Sequence, residues 1–162
     1  MEFVDGQQID KILAESVTTD AGRTFSADLI CLATGVRPSS LFVDSGLPTG
    51  PDGGLLVNAF LQCERHPEIF GGGDCISFAP SPLDKIGVYA VRQNGILFEN
   101  LLAALEGKTL RRFSPGGGYL QIFNLGQGVG VLLKGPLSFA GRLAFTLKDL
   151  IDKRFMRRFQ GR

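Results

Sequence analysis

Two short apolar runs that end in glycine constrain this chain more than any other feature of it. Residues 28–34 read DLICLAT and are stopped by Gly35, and residues 68–70 lead into Gly71-Gly72-Gly73-Asp74. A continuous apolar run of such length, bounded by glycine, fits a strand buried on both faces, as in a parallel sheet. Residues 86–105 supply a long helix candidate, in which Val88, Val91, Ile96, Phe98, Leu101, Leu102 and Leu105 form a broad apolar stripe. Gly107 stands where a helix-terminating glycine belongs. Short strands combined with such a helix make α/β the expected class.

Around this centre the remaining elements are lighter. Residues 8–17 alternate loosely and read as one strand, followed by a turn at Asp20 and Gly22 and a second short strand over 24–26. Residues 38–58 are loop-like except for a strand at 55–57, and Pro80 and Pro82 punctuate another loop. Residues 119–125 and 128–133 flank Gly126-Gln127 as a β-hairpin. Leu143, Leu147, Leu150, Ile151, Phe155 and Phe159 recur at three- and four-residue spacing, which predicts a C-terminal amphipathic helix.

Charge and cysteine usage narrow the setting. The last 21 residues, from Arg142, carry seven basic and two acidic side chains, a net +5, which leaves −4 on the rest of a chain whose total is +1. Such asymmetry marks an interaction tail. Cys31, Cys63 and Cys75 are odd in number and form no CxxC pair, so a reduced, cytoplasmic context is expected. Cys31 is read as a buried strand residue, Cys75 as structural and His66 as solvated. No apolar run approaches the roughly 18 residues of a membrane span, and neither metal-ligand spacing nor a nucleophile–base pair stands out. No nucleic-acid partner is expected.

The order of the motifs carries a resemblance. Residues 28–38, DLICLATGVRP, resemble the segment with which pyridine-nucleotide flavoprotein oxidoreductases leave the NAD(P)H domain and re-enter the FAD domain. Residues 67–74, PEIFGGGD, resemble the second FAD motif of that superfamily, and residues 54–58, GLLVN, the strand before it. Residues 90–95, AVRQNG, followed by Glu99-Asn100, resemble the helix that lies under the flavin ring. The hairpin and basic helix that follow are most similar to type II NADH dehydrogenases. Sulfide:quinone oxidoreductases rank lower, since no cysteine follows Cys75.

The resemblance implies a partial FAD/NAD(P)-binding Rossmann-like (ββα sandwich) fold without its N-terminal βαβ, closed by a hairpin and an amphipathic helix. Residues 1–38 would end the NAD(P)H domain, 39–110 belong to the FAD domain, and 111–162 form the C-terminal hairpin and helix. It implies FAD as cofactor and NAD(P)H as substrate, with hydride passing to the flavin and electrons onward to quinone or another acceptor. Gly35, Gly72, Gly73, Asp74, Ala90 and Gln93 become the cofactor-contacting candidates, Asp74 through a ribityl hydroxyl and residues 90–93 through a positive helix N-terminus. No catalytic side chain is assigned.

The G-x-G-x-x-G fingerprint is missing; residues 126–130, GQGVG, lie between two strands and open no helix. The chain is therefore expected to be a C-terminal piece of the enzyme that binds FAD weakly or not at all on its own, does not turn over, and associates with itself or with the absent half. Phe155, Arg157, Arg158 and Phe159 mark the terminal helix as a membrane- or partner-contacting element, at the inner face of a membrane. The plain reading of that helix, apolar side packed on the domain and charges in solvent, stands beside it. A non-catalytic interaction module using the basic helix is the competing function.

Overall fold

The computed structural model describes residues 3–157; Arg158 and Phe159 lie outside them. The chain divides into two compact units, residues 1–36 and 37–162. Residues 39–110 and 111–162 both fall within the second unit.

The first unit is an antiparallel meander of β1 (Ile9–Leu13), β2 (Ser16–Thr19) and β3 (Thr24–Ser26). The single strand expected over 8–17 is thus two strands of a hairpin that turns between Leu13 and Ser16, with Ile12 facing Val17. Its loose alternation comes from reading through the turn. Gly22 (φ +76°) closes the next turn by donating to the Thr19 carbonyl at 2.9 Å.

Residues 28–34 form no strand, contrary to expectation, and Cys31 is exposed rather than buried. Leu29 is 79% and Leu32 59% exposed. An extended run needs a neighbouring backbone to pair its N–H and C=O groups and a layer on each face to bury its side chains. No described residue supplies a ladder for this segment.

The second unit is built around two parallel strands, β4 (Leu55–Val57) and β5 (Ile76–Phe78), in the register Leu55–Ile76, Leu56–Ser77, Val57–Phe78. Alternate residues point inward, so Leu55, Val57, Ile76 and Phe78 are buried together with Leu61, Cys63 and Phe113. The crossover between the strands folds back on itself. Asn58 accepts the N–H groups of Phe60 (2.8 Å) and Gln62 (3.3 Å), and bridges join Val57 to Cys63 and Gln62 to Phe70. The strand expected at 68–70 is only that last bridge. β5 falls in a stretch that reads as loop from the sequence. His66 is half-buried as a residue, with its side chain 41% exposed, and meets Glu68 at 3.3 Å.

A polar clasp closes the open end of this strand pair. Asp52 takes the N–H of Gly54 (3.0 Å), the Ser77 hydroxyl and the Lys85 ammonium (2.7 Å), while Lys85 also donates to the Ile76 carbonyl. Partial burial pushes the Asp52 carboxyl upward, but the bonds from Lys85, Ser77 and Gly54 and the Lys85 charge outweigh it and hold the pKa at about 2. A depressed carboxyl contributes stability that is complete above the unfolded value and disappears as pH falls through the folded one. The carboxylate is 42% exposed, so solvent screening limits its worth to about 1 kcal/mol. Asp52→Asn is therefore expected to cost about that much at neutral pH and only a small part of it near pH 2. Urea midpoints at the two pH values check this.

After a single helical turn, α1 (Leu41–Asp44), the long helix α2 (Gly87–Leu105) starts from extended Ile86 without a side-chain cap. It ends in a Schellman turn: Gly107 (φ +64°) donates to Ala104 at 3.3 Å and Lys108 to Ala103 at 2.7 Å. Which face it buries differs from expectation. Gln93 and Asn100 are buried and Ile96 and Leu97 pack on the core, whereas Val91, Phe98 and Leu105 of the expected stripe are exposed.

The hairpin is present as β6 (Gln121–Asn124) and β7 (Gly130–Lys134), joined by a third antiparallel strand, β8 (Leu137–Gly141), that leads into α3 (Arg142–Met156). α3 lies directly on β7: a Cβ on Gly130 would stand 2.9 Å from the Phe145 nitrogen, and Ala144 is 1% exposed. No helix among the described residues is long and apolar enough to cross a membrane.

Candidate functional site

The glycine turn and α2 form the walls of one cavity of about 310 Å³, lined by Gly72, Gly73, Ala90, Gln93, Asn94 and Leu97 together with Val91 and Phe155. Four of the six cofactor-contacting candidates, Gly72, Gly73, Ala90 and Gln93, therefore meet in space. On the helix, residues 90, 93, 94 and 97 lie on one stripe at three- and four-residue spacing.

Its geometry is set by two local demands. Gly71 carries no side chain because a Cβ there would come within 2.7 Å of Ile76 Cγ2 and 3.1 Å of Leu55 Cδ2, both in the core. Gly73 adopts φ +76°, a conformation that side-chain-bearing residues avoid. It opens a single 3₁₀ turn over Gly73–Cys75. The Gly73 N–H donates at 2.5 Å to Oε1 of Gln93, which is 2% exposed. That bond ties the turn to the middle of α2. The Gln93 Nε2 makes no bond to any described residue, so the same amide that holds the turn retains a donor for the cavity.

Asp74 comes next in the chain. The residue is half-buried but does not line the cavity, and its carboxylate makes no hydrogen bond or ion pair with any described residue, so it is not a turn aspartate bonded to its own backbone. The Cys75 thiol donates to the Gly72 carbonyl at 3.1 Å, which gives this cysteine a local structural partner. Gly35 belongs to the first unit and has φ +93°.

At the far end of the chain, Phe155 lines the cavity and Arg157 caps α3, exposed. Most other apolar side chains of α3 are uncovered: Leu143, Leu147, Leu150, Ile151 and Met156 are exposed, whereas Ala144 is buried and Phe145 half-buried. Lys148–Asp152 (2.6 Å) and Asp149–Lys153 (2.7 Å) pair along its polar side.

Sequence reasoning did not single out Asn94, Leu97 or the place of Phe155 in this wall. The first two were within reach, since they continue the stripe begun by Ala90 and Gln93. The third depends on how α3 folds back, for which no local signal exists. No cluster of His, Cys, Asp and Glu among the described residues could hold a metal ion.

Comparison with known proteins bears on this site. The sequence pattern of a family described as pyridine nucleotide-disulphide oxidoreductase matches residues 2–96. The chain is 31% identical over 108 residues to ferroptosis suppressor protein 1 of Xenopus tropicalis, covering 65% of this chain and 28% of that protein. It is 30% identical over 119 residues to the FAD-dependent oxidoreductase FVFD30 of Flammulina velutipes, covering 73% and 36%. Among solved structures, an FAD-dependent pyridine nucleotide-disulphide oxidoreductase from Desulfovibrio vulgaris superposes with a TM-score of 0.55 at 28% identity, covering 76% of this chain and 31% of that one. The chain thus spans about a third of the length of these relatives.

Proposed function

Because the chain belongs to the pyridine nucleotide-disulphide oxidoreductase family, we propose that it forms part of an FAD-dependent NAD(P)H oxidoreductase and holds the middle of the flavin cofactor. The observation that carries this reading is half-buried Asp74, whose carboxylate has no partner among the described residues and which follows the Gly72–Gly73 turn directly. A polyhydroxyl chain offers such a carboxylate the charge-assisted hydrogen bonds it lacks. The donor set fits FAD: Asp74 for a ribityl hydroxyl, Gly72 and Gly73 for close backbone approach, and the stripe Ala90–Gln93 for the ring. Gln93 fixes the Gly73 amide, so the turn is held before any ligand arrives.

The chemistry that FAD supplies in such a site is acceptance of a hydride from NAD(P)H and onward transfer of electrons to a quinone or another acceptor. What this chain's residues contribute is binding and orientation. The pyrophosphate and nicotinamide contacts are proposed to come from the remainder of a longer enzyme. The exposed apolar side of α3, with its basic residues, is proposed to lie at a membrane surface.

The cavity is tested by titrating FAD into isotopically labelled chain and following the backbone amide resonances, which report even weak binding. Gly72, Gly73 and Ala90 are expected to shift, and Asp74→Ala to weaken the response about tenfold, as loss of a charge-assisted bond requires. Shifts confined to the first unit, or an unchanged response in the variant, would rule the reading out.

A further inference from the structure

The opposite flank of α2 borders a second and larger cavity, of about 840 Å³, which shares no lining residue with the first. Three cations from three elements face it: Arg92 of α2, Lys134 of β7 and Lys148 of α3. Tyr119, Ile122, Phe123 and Ile151 supply aromatic and aliphatic wall. From this charge pattern we propose that the groove binds a single-chain amphiphile, its anionic headgroup at the cations and its tail along the apolar wall.

The cations are not equivalent. Arg92 is half-buried and already oriented, because Nη1 donates to the carbonyls of Pro115 (2.5 Å) and Gly117 (3.2 Å) while the guanidinium lies 5.9 Å from the centre of the Tyr89 ring. These partners are neutral, so its positive charge is not cancelled. Lys148 is paired with Asp152, the one carboxylate in the lining. Lys134 has no partner among the described residues. Among the lining residues three positive charges stand against one negative, and with the Asp84 carboxylate that accepts from the Tyr119 hydroxyl at 3.3 Å the groove still keeps a net positive charge. Tyr119 adds none: burial, then the Asp84 charge and hydrogen bond, raise its pKa, so it stays neutral.

Neither ligand type that lacks one half of this chemistry fits as well. A fully apolar molecule would bury Arg92 and Lys134 without a counter-charge, which is costly. A small inorganic anion would leave the walls of Ile122, Phe123 and Ile151 in water. A volume of this size is typical of pockets that take a lipid- or drug-sized molecule. Because the site is concave, the occupant is a monomer rather than a bilayer surface.

Isothermal titration of the whole chain with dodecyl phosphate, below its micellar concentration, tests this against dodecanol and inorganic phosphate. Dodecyl phosphate is expected to bind at least about tenfold tighter than either, on the scale of one or two partly screened charge contacts. Lys134→Glu should weaken it by about tenfold while Lys134→Arg retains it, and Lys11→Glu, the same charge change in the first unit, should leave it unaltered. Equal affinity for dodecanol, or equal loss in the Lys134→Glu and Lys11→Glu chains, would overturn the proposal. So would binding to anionic vesicles alone. Lys134 lies outside the flavin cavity, so this outcome is independent of the FAD titration.

Discussion

Replacing Asn100 by alanine is expected to lower the stability of the second unit by about 3 kcal/mol, one of the two largest single-residue effects in the chain. Asn100 is 1% exposed and works as a three-way clamp. Its Nδ2 donates to the carbonyls of Phe60 and Arg111, each at 2.8 Å, and its Oδ1 accepts the Arg111 N–H at 2.7 Å. One side chain on α2 thereby joins the strand crossover to the segment after the helix. Alanine leaves two acceptors and a donor without partners, each costing about 1 kcal/mol. Asn100→Asp separates the parts of the clamp: it keeps an acceptor for Arg111 but turns a negative oxygen toward two carbonyls. It should be at least as damaging at neutral pH and partly recover in acid. Urea denaturation of the three chains at two pH values decides the matter; a loss below about 1 kcal/mol for alanine would mean the clamp is dispensable.

The second large effect is expected at Phe113, where truncation to alanine should cost about 3 to 5 kcal/mol. Phe113 is 4% exposed and meets Phe78 edge-on, with ring centres 5.4 Å apart and planes at 79°. Its N–H donates to the Ala59 carbonyl at 2.8 Å. The residue packs into the core against Phe78 of β5, so its removal leaves a cavity there as well as the lost burial. Phe113→Leu should recover roughly half of the loss, because it restores most of the volume but not the edge-to-face contact. Thermal unfolding followed by circular dichroism would read both values, and a Phe113→Ala chain that melts like the parent would contradict this account of the core.

The parts of this fold that were legible in the sequence are those governed by local rules. The extent of α2 and its stop at Gly107 follow from helix periodicity and from the φ that only glycine takes cheaply. The β6–β7 hairpin follows from the glycines around Gln127. The α/β class holds because β4 and β5 are parallel.

What was not legible depends on partners distant in the chain. DLICLAT has the composition of a buried strand, yet no described strand lies alongside to bury it. β5 is three residues long and means nothing until β4 is beside it. The apolar stripe of α2 pointed to one face, but the buried face is chosen by two amides, Gln93 and Asn100, whose partners lie 20, 40 and 11 residues away. For the same reason the cavity joining Gly73 to Gln93 could be named only through the resemblance of its motifs, not through spacing.

The folded-back crossover also bears on how the chain finds its shape. Parallel strands ordinarily wait for a long loop to close before any contact rewards it. Here the loop between β4 and β5 is stitched from within. Leu61 bonds to Asn58, Ile69 to His66, Cys63 to Ile69 and Gly71 to Leu61, each at 2.8 to 3.1 Å. Each stitch shortens the span left for the next, so the entropy of joining the two strands is spent in small instalments. A nucleus of this kind assembles from neighbours outward, and α2 then has a finished surface on which to settle its two amides.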